Sequence, residues 1–268
     1  MAIIPQFYKN AVVSIGIKKP NDHIVWMGTG FFMTRRADDQ GNVRPFLVTN
    51  KHVFQGKSSI VIRMKEKGTE NLKEIDAPIV KDDGTPTYVL HPQNDIDIAV
   101  LPLNGSFITT NNLEFPSFDI DVNAMTSSEL RDNGVEEGTL IYMLGYTMGL
   151  VNQSSSRPIC RLGCIARISE AQIQEQHNIL VDIQNFPGNS GSPIINRPEL
   201  LSIQGTKNLD RSVLVGIIHS YIPYQETLIN SQTGKTVEIR SEISGLAYGH
   251  TVEYIRDIID SIFPLKNK

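Results

Sequence analysis

The sequence predicts an all-β protein. Three observations carry that expectation: short runs rich in Val, Ile, Phe and Thr recur along the 268 residues, Gly, Pro, Asn and Asp punctuate them, and only two stretches show helical spacing. In chain order the runs at 11–17, 26–33, 45–49, 59–64 and 98–103 read as strands of a first half. Those at 140–144, 159–168, 179–183, 193–195 and 213–218 read as strands of a second. The strand signal thins across 105–138, which is read as a connecting segment wrapping the surface between a first unit at 1–104 and a second at 139–250. A short helix is expected at 127–133, capped by Thr126 or Ser127 and stopped by Gly134. A C-terminal helix is expected at 251–263, where Val252, Ile255, Ile258, Ile259 and Ile262 fall on one face before Pro264.

Composition narrows the function classes. The length can bury a conventional core without a metal or disulfide staple. The 25 basic and 29 acidic side chains give a net charge of -4, which argues against a dedicated nucleic-acid binder. The two cysteines, Cys160 and Cys164, sit four residues apart. On a strand their Cα atoms would be about 13 Å apart, beyond disulfide reach, so they are read as reduced thiols. No basic, then apolar leader opens the chain, and no apolar run approaches the length of a bilayer span. A soluble, cytoplasmic protein with no membrane partner is the expectation. His23, His91, His177 and His250 show no metal-ligand spacing and are assigned to surface or loops, so neither metal nor cofactor is expected.

Three strings carry chemistry: TNKHV at 49–53, DIDIAVL at 95–101 and PGNSGSP at 187–193. A serine hydroxyl is a poor nucleophile at neutral pH, so acyl transfer needs a base within hydrogen-bond reach, an acid fixing the base's tautomer, and donors for an oxyanion. Gly188 and Gly191 around Asn189-Ser190 permit a tight turn whose amides converge. Ser190 is then the candidate nucleophile, and the oxyanion hole is drawn from the backbone of Gly188, Asn189 and Ser190. Asp95 and Asp97 would share one face of a strand, so periodicity cannot choose between them.

Together, in the order His52, Asp97, Ser190, the strings resemble the chymotrypsin-like serine peptidases, nearest the intracellular bacterial, HtrA-like branch. Asp97 follows His52 by 45 residues and Ser190 follows Asp97 by 93, spacing similar to the family's. The likeness extends to Gly28-Thr29-Gly30-Phe31-Phe32, Leu144-Gly145-Tyr146, Leu214-Val215-Gly216-Ile217-Ile218 and Gly245-Leu246-Ala247 before the last helix. It implies two six-stranded antiparallel β-barrels, with His52 and Asp97 on the first, Ser190 on the second and a protein or peptide substrate in the cleft between them. The family's acid directly precedes the I-A-V-L run, which selects Asp97 and leaves Asp95 as a loop carboxylate.

The resemblance also implies a specificity pocket. Its floor would lie near Gln184, with Phe186 and Pro187 on the approach, His219, Ser220 and Tyr221 on the facing strand, and Gly245 nearby. No aspartate occupies the floor, so preference for Lys or Arg is not expected. His219 has two readings, selectivity for an acidic or amide side chain or support of the triad aspartate, and in the second case a small-to-medium polar or apolar side chain is expected in the pocket. Where digestive relatives carry an aspartate before the nucleophile, this chain has Asn189, so activation by propeptide cleavage is not expected. Ordering of that loop is assigned to intrinsic contacts or to a regulatory protein partner. The expected function is a serine endopeptidase consisting of the protease domain alone. The alternative is a catalytically silent binding scaffold of the same fold.

Overall fold

The computed structural model describes residues 4–152, 154–203 and 205–264. After a first turn of helix, α1 (Gln6–Asn10), the first half is built from β1 (Val12–Lys18), β2 (Ile24–Arg36), β3 (Val43–Thr49), β4 (Ser59–Lys65), β5 (Leu72–Pro78), β6 (Val89–Leu90) and β7 (Ala99–Pro102). They lie side by side in the order β5-β4-β1-β2-β3-β7-β6. A short β8 (Phe118–Asp119) adds in parallel to β2. The helix α2 (Lys51–Phe54) leaves the end of β3.

The connecting segment carries α3 (Gly105–Thr110) and α4 (Ser127–Asp132). Thr126 accepts from the Glu129 N–H while the Glu129 carboxylate accepts from the Thr126 N–H, so α4 begins in a full capping box. Gly134, at φ +78°, follows its end.

The second half is a closed barrel of β9 (Leu140–Gly145), β10 (Ile159–Arg167), β11 (Ile179–Asp182), β12 (Pro193–Asn196), β13 (Leu214–Ile229) and β14 (Thr236–Thr251), in the order β10-β11-β14-β13-β12-β9. A helix α5 (Glu170–Gln176), capped by Ser169, links β10 to β11. The chain then packs α6 (Val252–Ile262) through Val252, Tyr254, Ile255, Ile258 and Ile259.

The expectation of two closed barrels holds for the second half only. In the first half the ladder between β5 and β6 shrinks to one bridge, Val80 to Pro86, with the Thr87 N–H donating to the Ile79 carbonyl at 2.9 Å. Pairing between the two ends stops there among the described residues, and the sheet stays open.

Two cores explain why β2 and β3 read as unbroken apolar runs. Phe32 and Leu47 face the interior of the first half, with Val13, Ile15 and Phe54. Their neighbours Phe31, Met33, Phe46 and Val48 point the other way, into a core shared with Ile141, Leu144, Ile194 and Leu214 of the barrel. Successive side chains on a strand point to opposite faces, so strands buried on both sides must be apolar throughout. The halves are therefore joined by a common core. Arg35, wholly buried, adds a charged tie: it pairs with Asp121 of the connecting segment at 3.2 Å and with Asp260 of α6.

The strand expected to end at 218 does not end there. β13 and β14 each run 16 residues, and their outer parts leave the barrel as a two-stranded arm.

Candidate active site

The site is assembled where α2, the stretch before β7 and the turn before β12 meet. Val53 and Phe54 are buried in the first core, and this turns α2 so that His52 is left on the solvent side. Asp97 holds His52 twice: Oδ1 accepts the His52 N–H at 3.0 Å, and Oδ2 meets His52 Nδ1 at 2.5 Å. The Asp97 carbonyl in turn accepts from the Asn50 side-chain amide at 2.8 Å. Burial alone would raise the Asp97 pKa, but the hydrogen bond and charge of His52 outweigh it and hold the carboxyl below its ordinary value. With Nδ1 engaged, Nε2 of His52 is the nitrogen left to take a proton.

The neighbouring Asp95 does something else. Its carboxylate meets His177 Nδ1 at 2.5 Å on the surface.

Behind Asp97 lies a group that the sequence assigned to surface or loops. His250, 1% exposed at the barrel end of β14, donates from Nδ1 to the His177 carbonyl at 2.7 Å. Its Nε2 is thereby an acceptor, and it takes the Asp97 N–H at 2.9 Å. His219 stacks on His250 at 4.1 Å and meets the Asn178 side-chain oxygen through Nε2 at 2.8 Å. Burial, followed by the neighbouring His250, pushes the His219 pKa down to about 3. Burial also lowers His250, so the stack is a pair of neutral imidazoles. His91 too is buried, with its ring edge-on to Tyr254.

Ser190 sits on a loop held from three sides. Its carbonyl accepts the Thr29 N–H at 2.9 Å, and the Gly188 carbonyl accepts the Thr29 hydroxyl at 2.7 Å. The same hydroxyl accepts the Tyr146 N–H at 2.9 Å, while the Thr29 carbonyl takes the Thr49 hydroxyl at 2.7 Å. The Asn189 side chain, buried, accepts from the Thr147 hydroxyl at 2.7 Å, and the Met148 N–H bonds the Pro187 carbonyl at 2.6 Å. Gly188, at φ +95°, is required: a Cβ there would stand 2.4 Å from the Tyr146 carbonyl oxygen. Gly28 shows how closely the two halves meet at this point. A Cβ on it would fall 3.0 Å from Val53 and 3.7 Å from the Ser190 carbonyl.

These contacts revise the oxyanion set. The Asn189 N–H is taken by the Phe186 carbonyl at 3.1 Å, which removes it from the candidates. The N–H groups of Gly188 and Ser190 have no hydrogen-bond partner among the described residues.

The predicted pocket residues come from the two flanks of this loop. Gln184 and Pro187 are exposed, and Phe186 is half-buried with the Arg161 guanidinium 5.0 Å over its ring. Arg161 has no carboxylate within 4.0 Å among the described residues. His219 and Ser220 are half-buried and Tyr221 is exposed. Gly245, at φ +89°, gives its carbonyl to the Ile183 N–H at 2.8 Å. The sequence did not mark Thr29, Thr147 or His250. Thr29 lies inside a string quoted for its strand, and nothing local reveals that its hydroxyl serves the loop of the other half.

A closed barrel and an open sheet sharing one core, with a paired histidine and aspartate on one half and a glycine-flanked serine on a loop of the other, are consistent with a chymotrypsin-like fold. The family model of the trypsin-like peptidase domain matches residues 28–199. The chain belongs to that family. No curated protein matches it. The match spans His52, Asp97 and Ser190, while the β13–β14 arm lies beyond it.

Proposed function

We propose that the chain is a serine endopeptidase acting through Ser190, His52 and Asp97. The observation that carries this reading is the two-point hold of Asp97 on His52 beside a Ser190 loop whose Gly188 and Ser190 amides have no partner among the described residues. In this mechanism the Ser190 oxygen attacks a peptide carbonyl, and His52 Nε2 takes the hydroxyl proton. The negative oxygen of the tetrahedral adduct is met by the Gly188 and Ser190 amides. Return of the proton to the departing amine leaves an acyl-Ser190, which water cleaves by the same path. Asp97 keeps the Nδ1–H tautomer and stabilises the imidazolium.

Loop ordering in this reading is intrinsic, because Asn189, Thr147 and Thr29 supply contacts that an activator would otherwise have to induce. An uncompensated Arg161 beside Phe186, with no acid at Gln184, supports an anionic or neutral residue before the scissile bond rather than a cationic one. The strings around His52, Asp97 and Ser190 support placement in the intracellular, HtrA-like branch. The test is a fluorophosphonate probe read by intact mass, alongside a peptide library. Wild type should label and Ser190→Ala should not; efficient cleavage after Lys or Arg alone would refute the pocket reading.

A further inference from the structure

The triad acid stands where no ladder fixes it. Strand β7 begins at Ala99, two residues after Asp97, and 91–97 is neither helix nor strand. The place of Asp97 therefore rests on what grips this segment from outside. The first half holds the Asp97 carbonyl, which accepts from the Asn50 side-chain amide at 2.8 Å and from the Lys51 N–H at 3.3 Å. The second half grips the segment on its other side, and both of its holds pass through His177. The His177 ring meets the Asp95 carboxylate through Nδ1 at 2.5 Å. The His177 carbonyl accepts His250 Nδ1 at 2.7 Å, and His250 Nε2 takes the Asp97 N–H at 2.9 Å. Side chain and backbone of one residue thus reach both ends of Asp95-Ile96-Asp97, and Ile96 between them is wholly buried in the shared core.

The backbone at His177 points the same way. His177 ends α5 at φ +55° and ψ +25°, the left-handed region that glycine or asparagine occupies with least strain. A histidine there costs the helix end something, and what it supplies in return is a ring that crosses to the other half. The end of α5 is also well seated. The His177 N–H returns to the Ile173 carbonyl at 3.0 Å, and the same carbonyl accepts the Tyr254 hydroxyl of α6 at 3.0 Å. The Tyr254 ring stands edge-on to His177 at 5.6 Å and to His250 at 5.9 Å. The hydrogen bond from His177 holds the Asp95 carboxyl below its ordinary value, so the pair is formed with an ionised acid. The Asp95 side chain is 60% exposed, and an ion pair so exposed adds little to stability. What it fixes is the path of the chain into Asp97.

We propose that His177 is a positioning residue for the triad acid: its ring pins Asp95, its carbonyl orients His250, and the two holds together set Asp97 and through it the pose of His52. This rests on the peptidase reading above. Because His177 acts through Asp97, its effect falls on kcat rather than on KM.

The experiment measures kcat, KM, Tm and the rate of fluorophosphonate labelling for wild type, His177→Gly, Asp95→Ala, Asp95→Asn and the double variant His177→Gly/Asp95→Ala, with a short peptide amide as substrate. His177→Gly removes the ring and keeps the carbonyl, at a φ that glycine adopts freely. Its kcat and labelling rate should fall about fivefold at constant KM, a modest figure for a small misplacement of a catalytic group. Its Tm should hold or rise, because the left-handed strain is relieved. Asp95→Ala should fall as far and the double variant no further, since each removes the same contact. Asparagine at 95 offers Oδ1 to the same N–H, so Asp95→Asn should recover most of the rate. A contact that only held the fold together would lower Tm in step with kcat, and that result would overturn the positioning role. Wild-type kcat in His177→Gly, losses that multiply in the double variant, or an Asp95→Asn as slow as Asp95→Ala would overturn it as well while leaving the peptidase intact. A wild type that neither turns over nor labels would overturn the peptidase reading and this role with it.

Discussion

The two halves hold their share of the site in different ways. In the first, base and acid are built locally: Asn50, His52 and Asp97 meet through contacts within one sheet, and the strings around them specify the turn. In the second, Ser190 stands on a loop held by its own half, through Thr147, Met148 and Ile218, and also from across the interface, where Thr29 of β2 contacts both the Ser190 and the Gly188 carbonyls. The lesson is that the acid–base pair is joined within the first half, whereas the nucleophile loop draws on both halves. The core shared by the halves is what makes that assembly available before substrate arrives.

The largest expected effect comes from removing one group from each half. Ser190→Ala and His52→Ala should each lower kcat by roughly 10⁴-fold or more, and the double variant should lose little beyond either single one, because groups acting as a unit are non-additive. Additive losses in single-turnover assays would show that the halves contribute separately, and the comparison would break.

Acid comes next. In the folded chain His219 takes its proton near pH 3, against 6.5 for a free imidazole. Between those values the unfolded state binds more protons, so stability falls as pH drops from about 6.5 toward 3. His250, lowered by burial, acts in the same direction. Asp97, held below its ordinary value, contributes stability present above that value and lost as pH falls through the lowered one. Together the loss should be on the order of a few kcal/mol, read as a shift in urea midpoint between pH 7 and pH 4. His219→Phe should flatten the dependence; an unchanged slope would mean that the stack is not the source.

Thr29→Val tests the contact across the interface directly. Valine keeps the N–H to Ser190 but strips the hydroxyl from the Gly188 carbonyl and the Tyr146 N–H, both buried. Leaving such groups unpaired costs about 2 kcal/mol. The probe-labelling rate should fall roughly tenfold or more, and Thr29→Ser should restore it. Unaltered labelling would mean that the loop orders itself.

The same division explains what could be read from the sequence. The order of strands, the capped helix α4 and the amphipathic α6 rest on spacing a few residues wide, and short-range patterns expose them, whereas the pairing of His52 with Asp97, 45 residues on, came from the family resemblance. The helix α5 was missed: it falls in the gap between the runs at 159–168 and 179–183, although Ser169 caps it by accepting the Gln172 N–H. The arm was missed because β13 changes at 219 from buried apolar to mixed composition, and the reading stopped where burial stopped. The open seam in the first sheet turns on how its two ends approach, and the partners of Thr29 and Asn189 turn on tertiary contacts. No local pattern announces either.

His250 offers the finest test, since among the described residues it gives the barrel's one hydrogen bond to the first half's acid. His250→Ala leaves the Asp97 N–H unpaired, and kcat should fall about tenfold, near 1.4 kcal/mol, with KM little changed. Glutamine can set Oε1 where Nε2 stood and accept the same N–H, so His250→Gln should recover most of the loss although the bond to the His177 carbonyl is gone. A merely structural role would predict the opposite ranking, because alanine disturbs packing less than a mispaired amide does. The pH profile separates the two further. Protonated His250 can only donate and would repel the Asp97 N–H, so wild type should show an added acidic step in kcat below the ordinary histidine range. His250→Gln should lack that step. If it persists, the local hold of Asp97 on His52 suffices and the first half builds its pair unaided.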